Sequence, residues 1–258
     1  MAFIKVVDDI GRYVLNVCNR FGSFIIFFAV CAKTLFTTRL RIGKTFAQMQ
    51  TIGVDSLSIV VLTGTFGGAV IAFQTYIGFK RFGGQEFMGP IVALSLSREL
   101  APVLTGLMVT GRAGSAIAAE IGTMRITEQI DALRTLCINT WQYLVVPRIV
   151  ASTLMLPFLT LFAFVFGTLG GYAIAVYVLG LNGDQYLNGI ARHLQLQDIV
   201  KGLFKSSIFG LILAWVGAYK GYNTKGGARG VGRATTQSVV VASIMILIAN
   251  YFLTAFLF

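Results

Sequence analysis

Long apolar runs separated by short polar connections dominate the chain. Five of them, near 52–79, 89–111, 148–180, 202–220 and 236–258, are long enough to cross a hydrocarbon core about 30 Å thick, which takes about 20 helical residues. The runs are continuous instead of alternating with a period of two, so they predict spanning helices and argue against a β-barrel. Phe21 to Ala32 is apolar too but has only 12 residues before Lys33. Preceded by Lys5, Arg12 and Arg20, it reads as an interfacial or re-entrant helix. The third run contains Pro157, and a straight helix of its length would measure about 50 Å, so it must tilt, kink or break. Small residues recur at four-residue spacing in Gly64 with Gly68, Gly167 with Gly171 and Gly217 with Gly221. Such pairs let helices approach closely in lipid, although glycine is also simply frequent in membrane helices.

Composition agrees with this pattern. Of 258 residues, 56% are hydrophobic and 12% charged, against about a quarter charged in soluble domains. The mean hydropathy is +0.78. The fold class is therefore an all-α integral membrane protein with an N-terminal interfacial helix and five transmembrane helices. No internal repeat is visible, which weakens a secondary carrier built on inverted halves.

The net charge of +11 comes from 21 basic and 10 acidic residues. The basic residues lie between apolar runs, which points to positive-inside topology and anionic headgroups and away from nucleic acid. Fifteen Lys and Arg fall in the N-terminal stretch, 33–44, 112–148 and 220–233. Six fall on the other side: Lys80, Arg81, Arg98, Arg192, Lys201 and Lys205. The count predicts a cytoplasmic N-terminus and a C-terminus outside. With Asp8 and Asp9 and no cleavage-like site, the start does not read as a signal peptide.

Several chemistries are missing. Cys18, Cys31 and Cys137 are odd in number and lack metal-ligand spacing. Gly43-Lys44-Thr45 resembles the end of a phosphate-binding loop, but Thr38 stands where that loop needs glycine, so no ATP site is expected. The Gly226–Gly232 cluster misses the dinucleotide pattern and reads as a flexible turn. His193, the one histidine, reads as a solvated loop residue. No metal, catalytic site or cofactor is expected in this chain.

Two constellations carry information. In Ser95-Leu96-Ser97-Arg98-Glu99-Leu100-Ala101-Pro102-Val103, two charges sit inside the second run. A charge at membrane depth costs about 3 kcal/mol on insertion scales, so both must face protein or a watery cavity. Consecutive residues point about 100° apart on a helix, so the two cannot neutralise each other on one face. Pro102 frees the carbonyl of Arg98 and favours a kink. Such a segment suits a cavity for a polar headgroup; the other reading is an interhelical ion pair that only fixes packing. The second constellation runs from Gly111 to Leu136. Ile117, Ile121, Met124, Ile130, Leu133 and Leu136 recur at helical spacing, with Glu120, Arg125, Glu128, Asp131 and Arg134 between them. This predicts an amphipathic cytoplasmic helix, either lying passively at the membrane or docking on a motor subunit; its mixed charges favour a protein partner.

Ser97–Val103, Gly111–Ala116, Ala119–Arg125 and Thr127–Leu133 resemble the MlaE family, permease subunits of ABC transporters that work with MCE-domain lipid-binding proteins. Tyr143–Arg148 and Gly230–Thr236 are similar to the family too. Ala101 stands where members commonly have Gly, and Asn139-Thr140 where they have Asp-Pro, which puts local loop geometry in question. The resemblance covers the chain from about residue 45, so residues 1–45 form an N-terminal interfacial segment and 46–258 the permease domain. It implies a homodimer, two cytoplasmic ATPase subunits carrying ATP and magnesium, a STAS-domain subunit and a periplasmic ring of MCE proteins. It further implies a bacterial inner membrane and phospholipid movement between inner and outer membranes, supporting outer-membrane asymmetry. The candidate substrate-cavity residues are Gln74, Tyr76, Ser95, Arg98, Glu99 and Pro102. The candidate ATPase-coupling residues are Glu120, Thr123, Met124, Arg125, Glu128 and Asp131. The rival reading is an ATPase-independent carrier or channel for an amphipathic substrate, which predicts further intramembrane ionisable groups; a third is a scaffold that only anchors the MCE ring.

Overall fold

A computed structural model describes residues 2–38, 40–80, 84 and 87–257, and these contain helices and no strand. Arg39 and Arg81, counted for orientation, lie outside the described residues, as do the side chains of Lys5, Asp8, Asp9 and Arg20.

Helix α1 (Ala2–Thr37) is uninterrupted. Its apolar part, Phe21–Thr37, is shorter than a span. Phe24 stacks on Trp215 at 4.1 Å between centroids, and Phe27 lies 4.6 Å from Trp141, which fixes α1 along the bundle.

Five apolar helical segments follow, each long enough to cross a membrane. The first, Ile42–Lys80, joins α2 (Ile42–Ile52) to α3 (Leu57–Lys80) through a 3-10 turn at Val54–Ser56. The second, Met88–Ile126, strings together α4 (Met88–Ser95), α5 (Ala101–Val109) and α6 (Ser115–Ile126). Wider π turns at Leu96–Leu100 and Thr110–Gly114 connect them. After the short α7 (Gln129–Thr135), the third segment, Trp141–Val178, contains α8 (Val146–Ala173). The surface helix α9 (Gly183–His193) leads to α10 (Leu196–Tyr222) and α11 (Gly227–Leu257).

The departures from expectation are local. The second segment continues well past Gly111 because nothing up to Ile126 breaks it. Pro157 sits inside α8 without ending it, so the third segment does not break. Within the Gly226–Gly232 cluster, Gly226 and Gly227 take positive φ, 88° and 67°, and the rest forms the first turns of α11. His193 ends α9 and is exposed, with Nδ1 2.9 Å from the Gly189 carbonyl oxygen; it is helical where a loop was expected.

The small-residue pairs are contact faces. A Cβ on Gly68 would collide with the Gly167 carbonyl oxygen, and one on Gly64 would come 2.7 Å from that of Ala163, so α3 lies directly on α8. A Cβ on Gly217 would come 3.0 Å from the Gly114 carbonyl oxygen and one on Gly221 2.8 Å from that of Ala118, so α10 lies close on the second segment. Half of the apolar stretch of α10 is buried against 11% for α11, which puts α10 inside the bundle and α11 on its flank.

Candidate functional site

Arg98 and Glu99 lie in the first π turn, where the Ala101 N–H reaches five residues back to the Leu96 carbonyl. The turn and Pro102 together strip the Arg98 carbonyl of a backbone donor. Lys205 supplies one instead, with Nζ 3.1 Å from Arg98 O. The same ammonium lies 2.9 Å from Glu99 Oε2 and 2.8 Å from Thr254 Oγ1. Three acceptors thus meet its three N–H bonds, which is how a wholly buried lysine is tolerated. Asn250 Nδ2 donates to Glu99 Oε2 at 3.1 Å, and Thr254 Oγ1 donates to Oε1 at 2.8 Å. Arg98 donates through Nε and Nη2 to Asp198 Oδ1, at 2.9 and 2.8 Å. Asp198 is also held by the capping box of α10, its Oδ2 accepting from the Gln195 N–H at 3.2 Å.

The two charges of the second segment are therefore paired across to α10, and the cluster of two cations and two anions is neutral in sum. The interhelical ion pair weighed from sequence is present. It is not sealed, however: the Arg98 and Glu99 side chains keep 42% and 36% of their surface while Asp198 and Lys205 keep 6% and 0%. The inner partners lock the geometry and the outer ones present charge. Lys205 lies nine residues into α10, about 13 Å along its axis.

Pro102 is buried, and its ring would lie 3.6 Å from a Cβ on Gly202 of α10. Ser95 is half-buried at the end of α4. Tyr76 packs against the buried cluster that contains Met88, Leu96 and Tyr186, with Lys80 Nζ 5.7 Å from its ring centroid, and Gln74 is exposed on α3. Asp198, Lys205, Asn250 and Thr254 were not among the expected residues. Asp198 and Lys205 stand seven apart, two helical turns on one face, a signal the sequence did carry.

The connection to the third segment is helical but in two parts. Glu128 adopts φ 61°, a left-handed conformation that ends α6 and starts α7. Arg125 Nη1 donates to both Asp131 oxygens at 2.8 and 3.0 Å, closing the corner. Arg134 meets Asp131 at 3.3 Å and the Tyr222 hydroxyl at 2.6 Å. Glu120 pairs with the buried Arg148 at 2.7 Å, tying α6 to α8. Glu120, Thr123 and Glu128 are exposed; Met124, Arg125 and Asp131 are half-buried. Ile117, Ile121 and Gly122 are buried, so α6 packs within the bundle. Asn139 caps the third segment as an aspartate would, its Oδ1 accepting from the Trp141 N–H at 3.0 Å. Arg112 bonds the Thr51 carbonyl at 2.9 Å and Asp55 at 3.1 Å, pinning the second segment to the first.

A family model described as Permease MlaE matches residues 45–256. The chain is 43% identical over 255 residues to a probable ABC transporter permease protein of Rickettsia bellii, covering 99% of this chain and 98% of that one. A probable ABC transporter permease protein of Synechocystis is 44% identical over 220 residues, 85% of this chain and 84% of its own. The intermembrane phospholipid transport system permease protein MlaE of Haemophilus influenzae is 32% identical over 258 residues, 99% and 98% of the two chains. With its five membrane-crossing helices and a match that takes in both the ion cluster and the α6–α7 corner, this chain belongs to the MlaE permease family.

Proposed function

We propose that the chain is the membrane-spanning subunit of an ATP-driven transporter that moves phospholipid between the inner and outer membranes and so maintains outer-membrane asymmetry. Two copies enclose a cavity open to the periplasm. A cytoplasmic ATPase that binds ATP and magnesium docks at the α6–α7 corner, with a STAS-domain subunit beside it. A periplasmic ring of MCE-domain proteins receives or delivers lipid. The N-terminus is cytoplasmic and the C-terminus periplasmic.

The observation that carries this reading is the half-open ion cluster. A guanidinium and a carboxylate at membrane depth, each with a buried counter-ion behind it, offer both signs of charge to a zwitterionic headgroup without leaving a bare ion in the bilayer. At the other end of the same segment, exposed Glu120, Thr123 and Glu128 surround a corner held by Arg125 and Asp131, a shaped surface for a protein groove.

The test is isolation in mild detergent followed by reconstitution between donor and acceptor vesicles. ATPase and MCE subunits are expected to co-purify, and lipid transfer to stop without ATP. Transfer by the chain alone, driven by an ion gradient, would replace this reading with the carrier. That second reading draws on one observation, since Asp198 and Lys205 bring the ionisable groups of the cluster to four.

A further inference from the structure

A cavity of about 510 Å3 lies between α2, α7 and the start of the third segment. Lys44 and Arg148 line it with the amides Gln48 and Gln129 and the Tyr143 phenol, and no carboxylate is among its lining residues. Lys44 Nζ stands 3.4 Å from the Tyr143 ring centroid and Arg41 Cζ 5.0 Å from it. The ring attracts both cations, yet it leaves them close enough to repel each other. Neither forms an ion pair among the described residues. Arg148 is buried, with Nη2 held by Glu120, but its Nε–H has no acceptor. The site is short of negative charge.

The rim indicates where an anion would come from. Leu136 lines the cavity with Leu133, Leu144 and Pro147 and is 69% exposed, and Ile42 and Phe46, 67% and 64% exposed, flank Lys44 in the sequence of α2. Exposed large apolar side chains beside clustered cations mark the boundary between headgroups and acyl chains. A soluble anion would satisfy the cations and leave the rim unused. A lipid uses both, and a cavity of this volume takes a headgroup with its glycerol.

We propose that this cavity binds the phosphate-bearing headgroup of an anionic lipid from the adjoining leaflet. Arg41 and Lys44 hold the phosphate, Gln48 and Gln129 meet the polar substituent, and Leu133, Leu136 and Pro147 of the cavity wall lie along the acyl chains. The site is separate from the ion cluster. Met124, on its wall, is 26 residues from Arg98, about 39 Å along one continuous helix.

The test is native mass spectrometry of the purified full chain with equal amounts of phosphatidylglycerol or phosphatidylcholine. Phosphatidylglycerol is expected to be retained more tightly, and its retention to fall about tenfold or more in the Arg41→Ala/Lys44→Ala variant, as loss of charge-assisted bonds predicts. Lipid held at the ion cluster is common to both proteins, so the difference isolates this cavity. A second readout needs no variant: phosphatidylglycerol, and not phosphatidylcholine, should slow acetylation of Lys44, followed by peptide mass. Equal retention of the two lipids, or undiminished retention by the double variant, would overturn the proposal. Release of phosphatidylglycerol by millimolar inorganic phosphate would overturn the lipid assignment in favour of a soluble anion.

Discussion

Lys205 Nζ lies 3.1 Å from the carbonyl oxygen of Arg98, the acceptor that Pro102 leaves without a backbone donor. One side chain from α10 therefore repairs a backbone defect in the second segment and neutralises Glu99 beside it, which makes that defect a joint between spans.

Lys205→Met should accordingly be costly. It leaves the Arg98 carbonyl and Glu99 without their shared cation, and breaking a buried pair from one side costs about 3–5 kcal/mol, less here because Glu99 is partly exposed. Adding Glu99→Gln removes the stranded charge while keeping an amide for Thr254. Thermal unfolding in detergent should then show the double variant more stable than Lys205→Met alone. Additive losses would show that the two residues do not act as a pair.

The α3–α8 contact admits no side chain at Gly68. Gly68→Leu should push the helices apart and cost about 1–3 kcal/mol, as overpacking does. Gly78, which faces open space on the same helix, provides the control: Gly78→Ala should leave the unfolding temperature unchanged or raise it.

Tyr186 of α9 is buried with its hydroxyl unpartnered, and burial pushes its phenol above the usual range. The folded chain thus holds the proton to higher pH than the unfolded chain. Stability should be level below the ordinary phenol value of about 10 and decline above it as the unfolded state alone ionises. Tyr186→Phe should remove that alkaline decline and match or exceed the parent at neutral pH, because no hydrogen bond is lost. Unfolding temperatures measured from neutral to strongly alkaline pH check both points.

Much of this was legible along the chain, because spanning length, glycine spacing and the effect of Pro102 on the Arg98 carbonyl are local properties. The partners of Arg98 and Glu99 were not. Asp198, Lys205, Asn250 and Thr254 lie about a hundred or more positions away, and helix packing alone decides which face meets the π turn. Periodicity marks Asp198 and Lys205 as sharing a face but does not say what that face opposes. The Gly111–Leu136 stretch fared differently again. Its apolar spacing reads as one amphipathic helix, and a hydrophobic pattern carries no sign of the left-handed residue at Glu128 that divides it.

That corner separates the structural and docking roles of its charges. Asp131 accepts two bonds from Arg125 and lies 3.3 Å from Arg134, so Asp131→Arg should loosen the turn itself. Glu128 is exposed, and its side chain forms no ion pair among the described residues. Glu128→Gly should raise stability by about 1 kcal/mol, because glycine adopts positive φ without strain. If Glu128 faces an ATPase groove, Glu128→Arg should leave the unfolding temperature near that of the parent while reducing ATPase co-purification and lipid-stimulated ATP turnover severalfold. Asp131→Arg should lower all three. A Glu128→Arg protein that retains its ATPase and its turnover would move the docking surface off this corner, toward Glu120 and Thr123 one turn and more upstream on α6.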